Sequence, residues 1–144
     1  MNKTILLVED SEDDVIIFSR ALKTSGVSAA LKSAADGREA VEYLTRAMKD
    51  GHPEDPLPGL VLLDLKLPHI LGLDVLKWIR DQPALETLVV VVLTSSRQQS
   101  DLEQAYRLGA NSYLVKPSTL DELVKMIRSL GEYWFVHNET PTQS

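Results

Sequence analysis

Four short apolar runs punctuate the chain: Thr4–Val8 (TILLV), Leu60–Leu63 (LVLL), Leu88–Leu93 (LVVVVL) and Ser112–Val115 (SYLV). They are rich in Val, Ile and Leu, too short for helices, and continuous rather than alternating. Parallel strands covered on both faces read this way. Ala30–Ala34 (ALKSA) is a weaker fifth candidate. Helical stripes lie between the runs. Ser11 followed by Asp14 resembles a capping box with Asp in place of Glu, and Val15, Phe18 and Leu22 continue it. Ala40, Val41, Leu44 and Met48 form a second stripe, Leu73, Leu76 and Ile79 a third, and Leu102, Ala105 and Tyr106 a weaker fourth that should stop at Gly109. Leu120, Leu123, Val124, Ile127 and Leu130 form the fifth, with Asp121 and Glu122 suiting its positive N-terminal end. Strand and helix alternate through five units. This predicts an α/β fold: one five-stranded parallel sheet, helices on both faces, right-handed crossovers. The segment Lys49–Gly59 (KDGHPEDPLPG) carries three prolines and breaks the pattern. It reads either as a tolerated surface insertion or as a partner-contacting loop.

Composition narrows the classes. With 15 basic and 21 acidic residues the formal charge is −6, which disfavours a polyanionic partner, so nucleic-acid binding is not expected. No run approaches a membrane span, and MNKTILLVEDSEDD is too acidic for a signal peptide. The absence of cysteine excludes disulfides and thiolate zinc sites, and points to the cytoplasm.

The residues that follow the runs carry the chemistry. TILLV is followed by Glu9 and Asp10, LVLL by Asp64, LVVVVL by Thr94 and SYLV by Lys116. The C-terminal edge of an open parallel sheet is where ligands bind, so three carboxylates, a hydroxyl and an ammonium converge on one rim. Crowded carboxylates need a compensating cation, and oxygen donors suit a hard divalent ion such as Mg²⁺, with Mn²⁺ as the alternative. Metal, ammonium and hydroxyl together suit a phosphoryl group that a carboxylate oxygen attacks. Asp64 stands alone at its strand end and is the candidate nucleophile; Glu9 and Asp10 are adjacent and can share the metal. Singly, each residue also reads as a helix cap or a surface group.

The motifs VED (Val8–Asp10), LLDLKLP (Leu62–Pro68) with Gly72, LTS (Leu93–Ser95) and YLVKP (Tyr113–Pro117) resemble, in type, order and spacing, the receiver domain of two-component response regulators. The likeness is to the stand-alone, chemotaxis-regulator-like kind, and it spans Thr4 to Leu130. It implies a flavodoxin-like doubly wound fold, with residues 1–131 as the receiver and 132–144 as an aromatic, then disordered, extension. It also implies a signalling protein that takes a phosphoryl group from a sensor histidine kinase, and that catalyses only its own phosphotransfer and autodephosphorylation. In that likeness Asp64 is the phosphoacceptor, and Glu9, Asp10, Asp64 and the backbone carbonyl of Lys66 hold the metal. Lys116 contacts the phosphoryl group, Thr94 and Tyr113 form the switch pair, and the Lys116–Pro117 bond is cis. Thr94 would move to the phosphoryl oxygen, the Tyr113 ring would turn into the space vacated, and the face of the fourth helix, fifth strand and fifth helix would change shape. As given, the chain has no length left for an output domain, so output is expected through a partner or onward phosphotransfer.

Three departures stand out. Leu71 replaces a common acidic residue and Leu67 a common Met, both silent for chemistry. Lys66 flanks the path of a hydrolytic water and is expected to alter phosphoryl lifetime; Ser96 is the other flank. Near the end, Tyr133, Trp134 and Phe135 are consecutive. One ring can continue the fifth stripe into the core, or the cluster can mark an interface. With the proline-rich loop, this tail looks like the response regulators paired with bacterial and cyanobacterial phytochromes, which can form homodimers. A dehalogenase-type phosphatase would need a carboxylate at Lys66, and a flavin carrier would need a Gly- or Ser/Thr-rich loop where EDSEDD stands. The remaining alternative is a receiver-fold interaction module independent of phosphorylation. His52, His69 and His137 lack metal-ligand spacing and receive no role.

Overall fold

In the computed structural model, which describes residues 3–49 and 54–141, all five expected strands form. They are β1 (Thr4–Val8), β2 (Ala30–Ala34), β3 (Leu60–Leu63), β4 (Val90–Thr94) and β5 (Ser112–Val115). Every pairing is parallel and the order is β2-β1-β3-β4-β5. Helices α1 (Glu12–Ser25), α2 (Gly37–Ala47), α3 (Gly72–Asp81) and α4 (Gln99–Arg107) connect them in turn, and α5 (Leu120–Gly131) follows the last strand. The weak candidate Ala30–Ala34 is an edge strand, which explains its mixed composition. β4 starts two residues after the apolar run Leu88–Leu93 begins and ends one residue beyond it, so Thr94 is the last residue of the strand rather than the first past it.

The continuous apolar runs are explained by two cores, one on each sheet face. Leu6, Val8, Val61, Leu63, Val90 and Val92 point to one, where Leu44 of α2, Val75, Leu76 and Ile79 of α3 and Ala105 of α4 pack. Ile5, Leu7, Leu60, Leu62, Val91 and Leu93 point to the other, against Phe18, Ala21 and Leu22 of α1 and Val124 and Ile127 of α5. Alternate residues of one strand thus serve opposite layers. Each fully buried Leu or Ile contributes about 1.5–3 kcal/mol.

Beyond α5 the chain continues without a break into a π-helical turn, Glu132–His137. Trp134 and Phe135 pack half-buried on the α1–α5 core, while Tyr133 is exposed. The aromatic triplet therefore divides: two rings extend the core and one faces out. Gly131 permits this close approach, since a Cβ there would come 2.6 Å from a Val27 methyl. Residues 138–141 have no regular structure, and 142–144 of the expected disordered end lie outside the described residues.

The Lys49–Gly59 segment is tied to α2 where it is described. The Tyr43 hydroxyl donates to the Pro56 carbonyl (2.7 Å), and burial together with nearby Asp55 pushes its pKa up to about 12. Arg46 bonds Asp55 at 2.8 Å, and Leu57 packs on the core. Residues 50–53, including His52, lie outside the described residues.

Opposite the rim, Arg80 is a structural hub. It donates to the carbonyls of Leu88 (2.8 Å), Gly109 (2.9 Å), Leu85 (3.2 Å) and Glu86 (3.3 Å), and to Asn111 Oδ1 (3.0 Å). Burial lowers its pKa from the ordinary guanidinium value. Charged hydrogen bonds to these carbonyls hold α3, the approach to β4 and the α4–β5 turn together. Arg80→Met keeps the apolar stem and strands those carbonyls. It should cost about 2–3 kcal/mol in urea unfolding. An unchanged midpoint would show that water satisfies them equally well.

Candidate functional site

β1 pairs with β2 on one side and with β3 on the other, so the strand order reverses beside it. The crevice past the C-terminal ends of β1 and β3 is the topological switch point. Glu9 and Asp10 leave β1 there, and Asp64 leaves β3. The ladder runs on into both segments: the Glu9 N–H donates to the Ala34 carbonyl (3.0 Å) and the Asp64 N–H to the Val8 carbonyl (3.1 Å). Both acids are therefore fixed by sheet hydrogen bonds. Glu9 and Asp64 are buried and Asp10 is exposed, and one carboxylate oxygen of each lies within 4.8 Å of the others.

Lys116 follows β5, and its N–H donates to the Thr94 carbonyl (2.8 Å). Its ammonium bonds Glu9 Oε1, Asp64 Oδ2 (2.9 Å) and Asp14 Oδ2 (3.3 Å). The second oxygens of the buried acids are also occupied: Ser11 N–H donates to Glu9 Oε2 (3.1 Å) and Lys66 N–H to Asp64 Oδ1 (3.3 Å). The expected capping box is thus half formed. Ser11 Oγ accepts the Asp14 N–H (3.2 Å), but Glu9 rather than Asp14 takes the reciprocal bond, and the Asp14 carboxylate reaches Lys116 instead.

Opposed effects set the charges. Burial raises the Glu9 pKa above its ordinary value, and the bonds from Lys116 and Ser11 only partly offset this. Burial would lower the Lys116 pKa, but hydrogen bonds and attraction from Glu9 and Asp64 outweigh it and raise the group above its ordinary value. An ionised Glu9 is therefore costly in the metal-free protein. Below the ordinary carboxyl value of 4.5, Glu9 is protonated in both states and costs nothing. As pH rises, the unfolded chain releases this proton first, so stability falls until the folded-state value is passed. Glu9→Gln should remove that fall: the metal-free variant gains on wild type as pH rises above 4.5 in urea unfolding. A wild-type advantage that grows with pH would contradict this.

Thr94 is fully buried, and its Oγ1 accepts the Ser96 N–H at 3.5 Å. The Tyr113 hydroxyl donates to the Ser96 carbonyl (3.1 Å), its ring half-buried against the α2–α3–α4 core. Ser96 Oγ accepts the Gln98 N–H (3.3 Å) and donates to Asp101 Oδ2 (2.6 Å) in the first turn of α4. Ser96 thus joins Thr94, Tyr113 and α4. Asp101 was not singled out from sequence, and Asp14 was read only as a member of the capping pattern, not as a partner of Lys116. The expected cis Lys116–Pro117 bond is not found, since among the described residues every peptide bond is trans. Trans is the lower-energy isomer of an X–Pro bond. His69 adopts a positive φ of 68° and lies 3.9 Å from Asp36, and it is not a member of the carboxylate cluster.

This arrangement defines a class, and comparison with known proteins agrees. Residues 5–128 match the response regulator receiver domain, and the chain belongs to that family of signalling proteins. Response regulator Rcp1 of Synechocystis sp. is 39% identical over 132 residues, covering 92% of this chain and 88% of the relative. The crystal structure of its Mn²⁺-bound form has a TM-score of 0.83 at 37% identity, covering 97% of this chain and 99% of that one. The structure of the phosphorylated cyanobacterial phytochrome response regulator RcpA scores 0.85 at 34% identity, covering 99% and 100%. A probable methanogenesis regulatory protein, FilR2 of Methanothrix harundinacea, is 37% identical over 137 residues, covering 95% of this chain and 86% of the relative. Among the described residues, no helix is long and apolar enough to cross a membrane.

Proposed function

We propose that this receiver accepts a phosphoryl group on Asp64 from a histidine kinase and signals through the Thr94–Tyr113 pair. The observation that carries this reading is the placement of Asp64 Oδ2, 2.9 Å from Lys116 Nζ and inside the carboxylate cluster. An Asp64 oxygen attacks phosphorus as the bond to the donor breaks, and the donor leaves with that electron pair. Lys116 pairs with a phosphoryl oxygen, and the Thr94 hydroxyl donates to another while still able to accept from Ser96. Glu9, Asp10, Asp64 and the Lys66 carbonyl would hold Mg²⁺, which when bound supplies positive charge to the transferring group. The all-oxygen donor set fits such an ion, and the Mn²⁺-bound form of Rcp1 supports a divalent cation. Tyr113 and Ser96 carry the change to the face of α4, β5 and α5. The phosphorylated RcpA structure supports the chemistry and, with the aromatic tail, a phytochrome-type kinase as partner. A homodimer belongs to the same reading, supported by the exposed Tyr133.

An aspartyl phosphate is an acyl phosphate. After incubation with acetyl phosphate and Mg²⁺, neutral hydroxylamine should therefore convert Asp64 to its hydroxamate, found by peptide mass. A hydroxamate at another residue would remove Asp64 from the role. Lys66 is exposed and two residues past Asp64. Lys66→Asn should change the autodephosphorylation rate, and equal rates would show that its side chain does not reach the attacking water.

A further inference from the structure

The ammonium of Lys116 has three N–H donors, and the structure gives each a carboxylate: Glu9, Asp64 and Asp14. Two belong to the rim cluster. The third comes from α1, across the groove that Glu9, Asp14, Lys116, Ser118 and Thr119 help to line. Phosphorylation turns Asp64 from a free carboxylate into a mixed anhydride and adds oxygens that need a positive partner. Lys116 must then redirect a donor toward the phosphoryl group. Glu9 lies within the same cluster and can stay bonded, whereas Asp14 holds the ammonium from the α1 side.

We propose that Asp14 is a positioning residue that competes with the phosphoryl group for Lys116, slowing phosphoryl uptake. The inference rests on the phosphoacceptor reading above and deepens it. Asp14 is not part of the carboxylate cluster, and among the described residues its carboxylate hydrogen-bonds to the lysine alone. Its neighbour Asp13, in the same first turn of α1, is exposed and offers a control of equal charge. A bond between partly exposed charges is weak, so the effect is modest: about two- to fivefold in rate.

The test is uptake of phosphoryl from acetyl phosphate, followed by intact mass at fixed Mg²⁺ and ionic strength. The proteins are wild type, Asp14→Ala, Asp13→Ala, and Asp14→Ala combined with Lys116→Met. Asp14→Ala should be about two- to fivefold faster than wild type, and Asp13→Ala should match wild type once salt screens long-range repulsion. In the Lys116→Met background, Asp14→Ala should change nothing further. In metal-free protein the ¹⁵N resonance of the Lys116 ammonium should move in Asp14→Ala and not in Asp13→Ala. Equal acceleration by both alanines would reduce the effect to bulk charge and overturn the proposal. So would a slower Asp14→Ala, an effect that survives loss of Lys116, or an unmoved ammonium resonance. No uptake by wild type would instead remove the phosphoacceptor reading, and this inference with it.

Discussion

Lys116→Met should take up phosphoryl from acetyl phosphate about 100-fold more slowly than wild type, the usual scale for deleting one donor aimed at developing charge. Methionine keeps the stem and removes every bond the ammonium makes to Glu9, Asp64 and Asp14. Two buried carboxylates then face each other without their counter-ion. Breaking a fully buried pair costs more, but the Lys116 side chain is 22% exposed. A loss of about 2 kcal/mol at neutral pH is expected in metal-free protein. The pH dependence has a definite sign. Because the folded-state pKa of Lys116 is raised, its contribution is complete below the ordinary value of 10.5 and is lost only as pH rises through the higher folded value. The gap between variant and wild type should also narrow in acid, where Glu9 protonates. Saturating Mg²⁺ should recover part of the variant's stability by replacing the missing positive charge. Urea unfolding across pH, with and without Mg²⁺, reads all of this. Unchanged uptake would exclude Lys116 from the transfer.

Gly72→Ala should be the most damaging methyl addition near the site. A Cβ at Gly72 would lie 2.2 Å from the Asp64 carbonyl oxygen and 2.6 Å from the Leu65 Cα. These are backbone atoms, so no side-chain rotamer can relieve the clash. Gly72 N–H also donates to the Leu65 carbonyl (3.0 Å), locking the start of α3 to the segment that carries Asp64. Either α3 or the Asp64 backbone must move, at a cost of about 3 kcal/mol. Phosphoryl uptake should fall with it, because the shift is applied to the backbone of Asp64 itself. Wild-type stability together with wild-type uptake would show that the α3 start can slide freely.

The contrast between Gly72 and Asp64 shows what sequence could and could not disclose. Asp64 was legible because strand burial writes a continuous apolar run, and the first charged residue after it marks the rim. Gly72 was visible only as part of a motif; its reason is a backbone approach that no local pattern encodes. Glu9, Thr94 and Lys116 were legible in the same way as Asp64, although Thr94 proved to be inside its strand. Leu88 and Val89 are buried just ahead of β4, so the apolar run is displaced toward the start of the strand it marks. Asp14 and Asp101 were harder. Each sits in the first turn of a helix, where an acidic residue is already explained by the helix dipole. The Asp14 bond to Lys116 spans 102 residues of sequence and leaves no periodic trace. The tail was half legible: Trp134 and Phe135 follow the α5 stripe into the core, and only three dimensions show that Tyr133 does not.

The central claim is that Asp64 is the phosphoacceptor in a metal-dependent transfer. Intact mass after incubation with acetyl phosphate, with and without Mg²⁺, tests it most directly in wild type and Asp64→Asn. An adduct of about 80 Da, one phosphoryl group, should form on wild type only when Mg²⁺ is present, and not on the variant. An adduct that persists in Asp64→Asn, or none on wild type with Mg²⁺, would contradict the account and leave a receiver fold that works as an interaction module without phosphorylation.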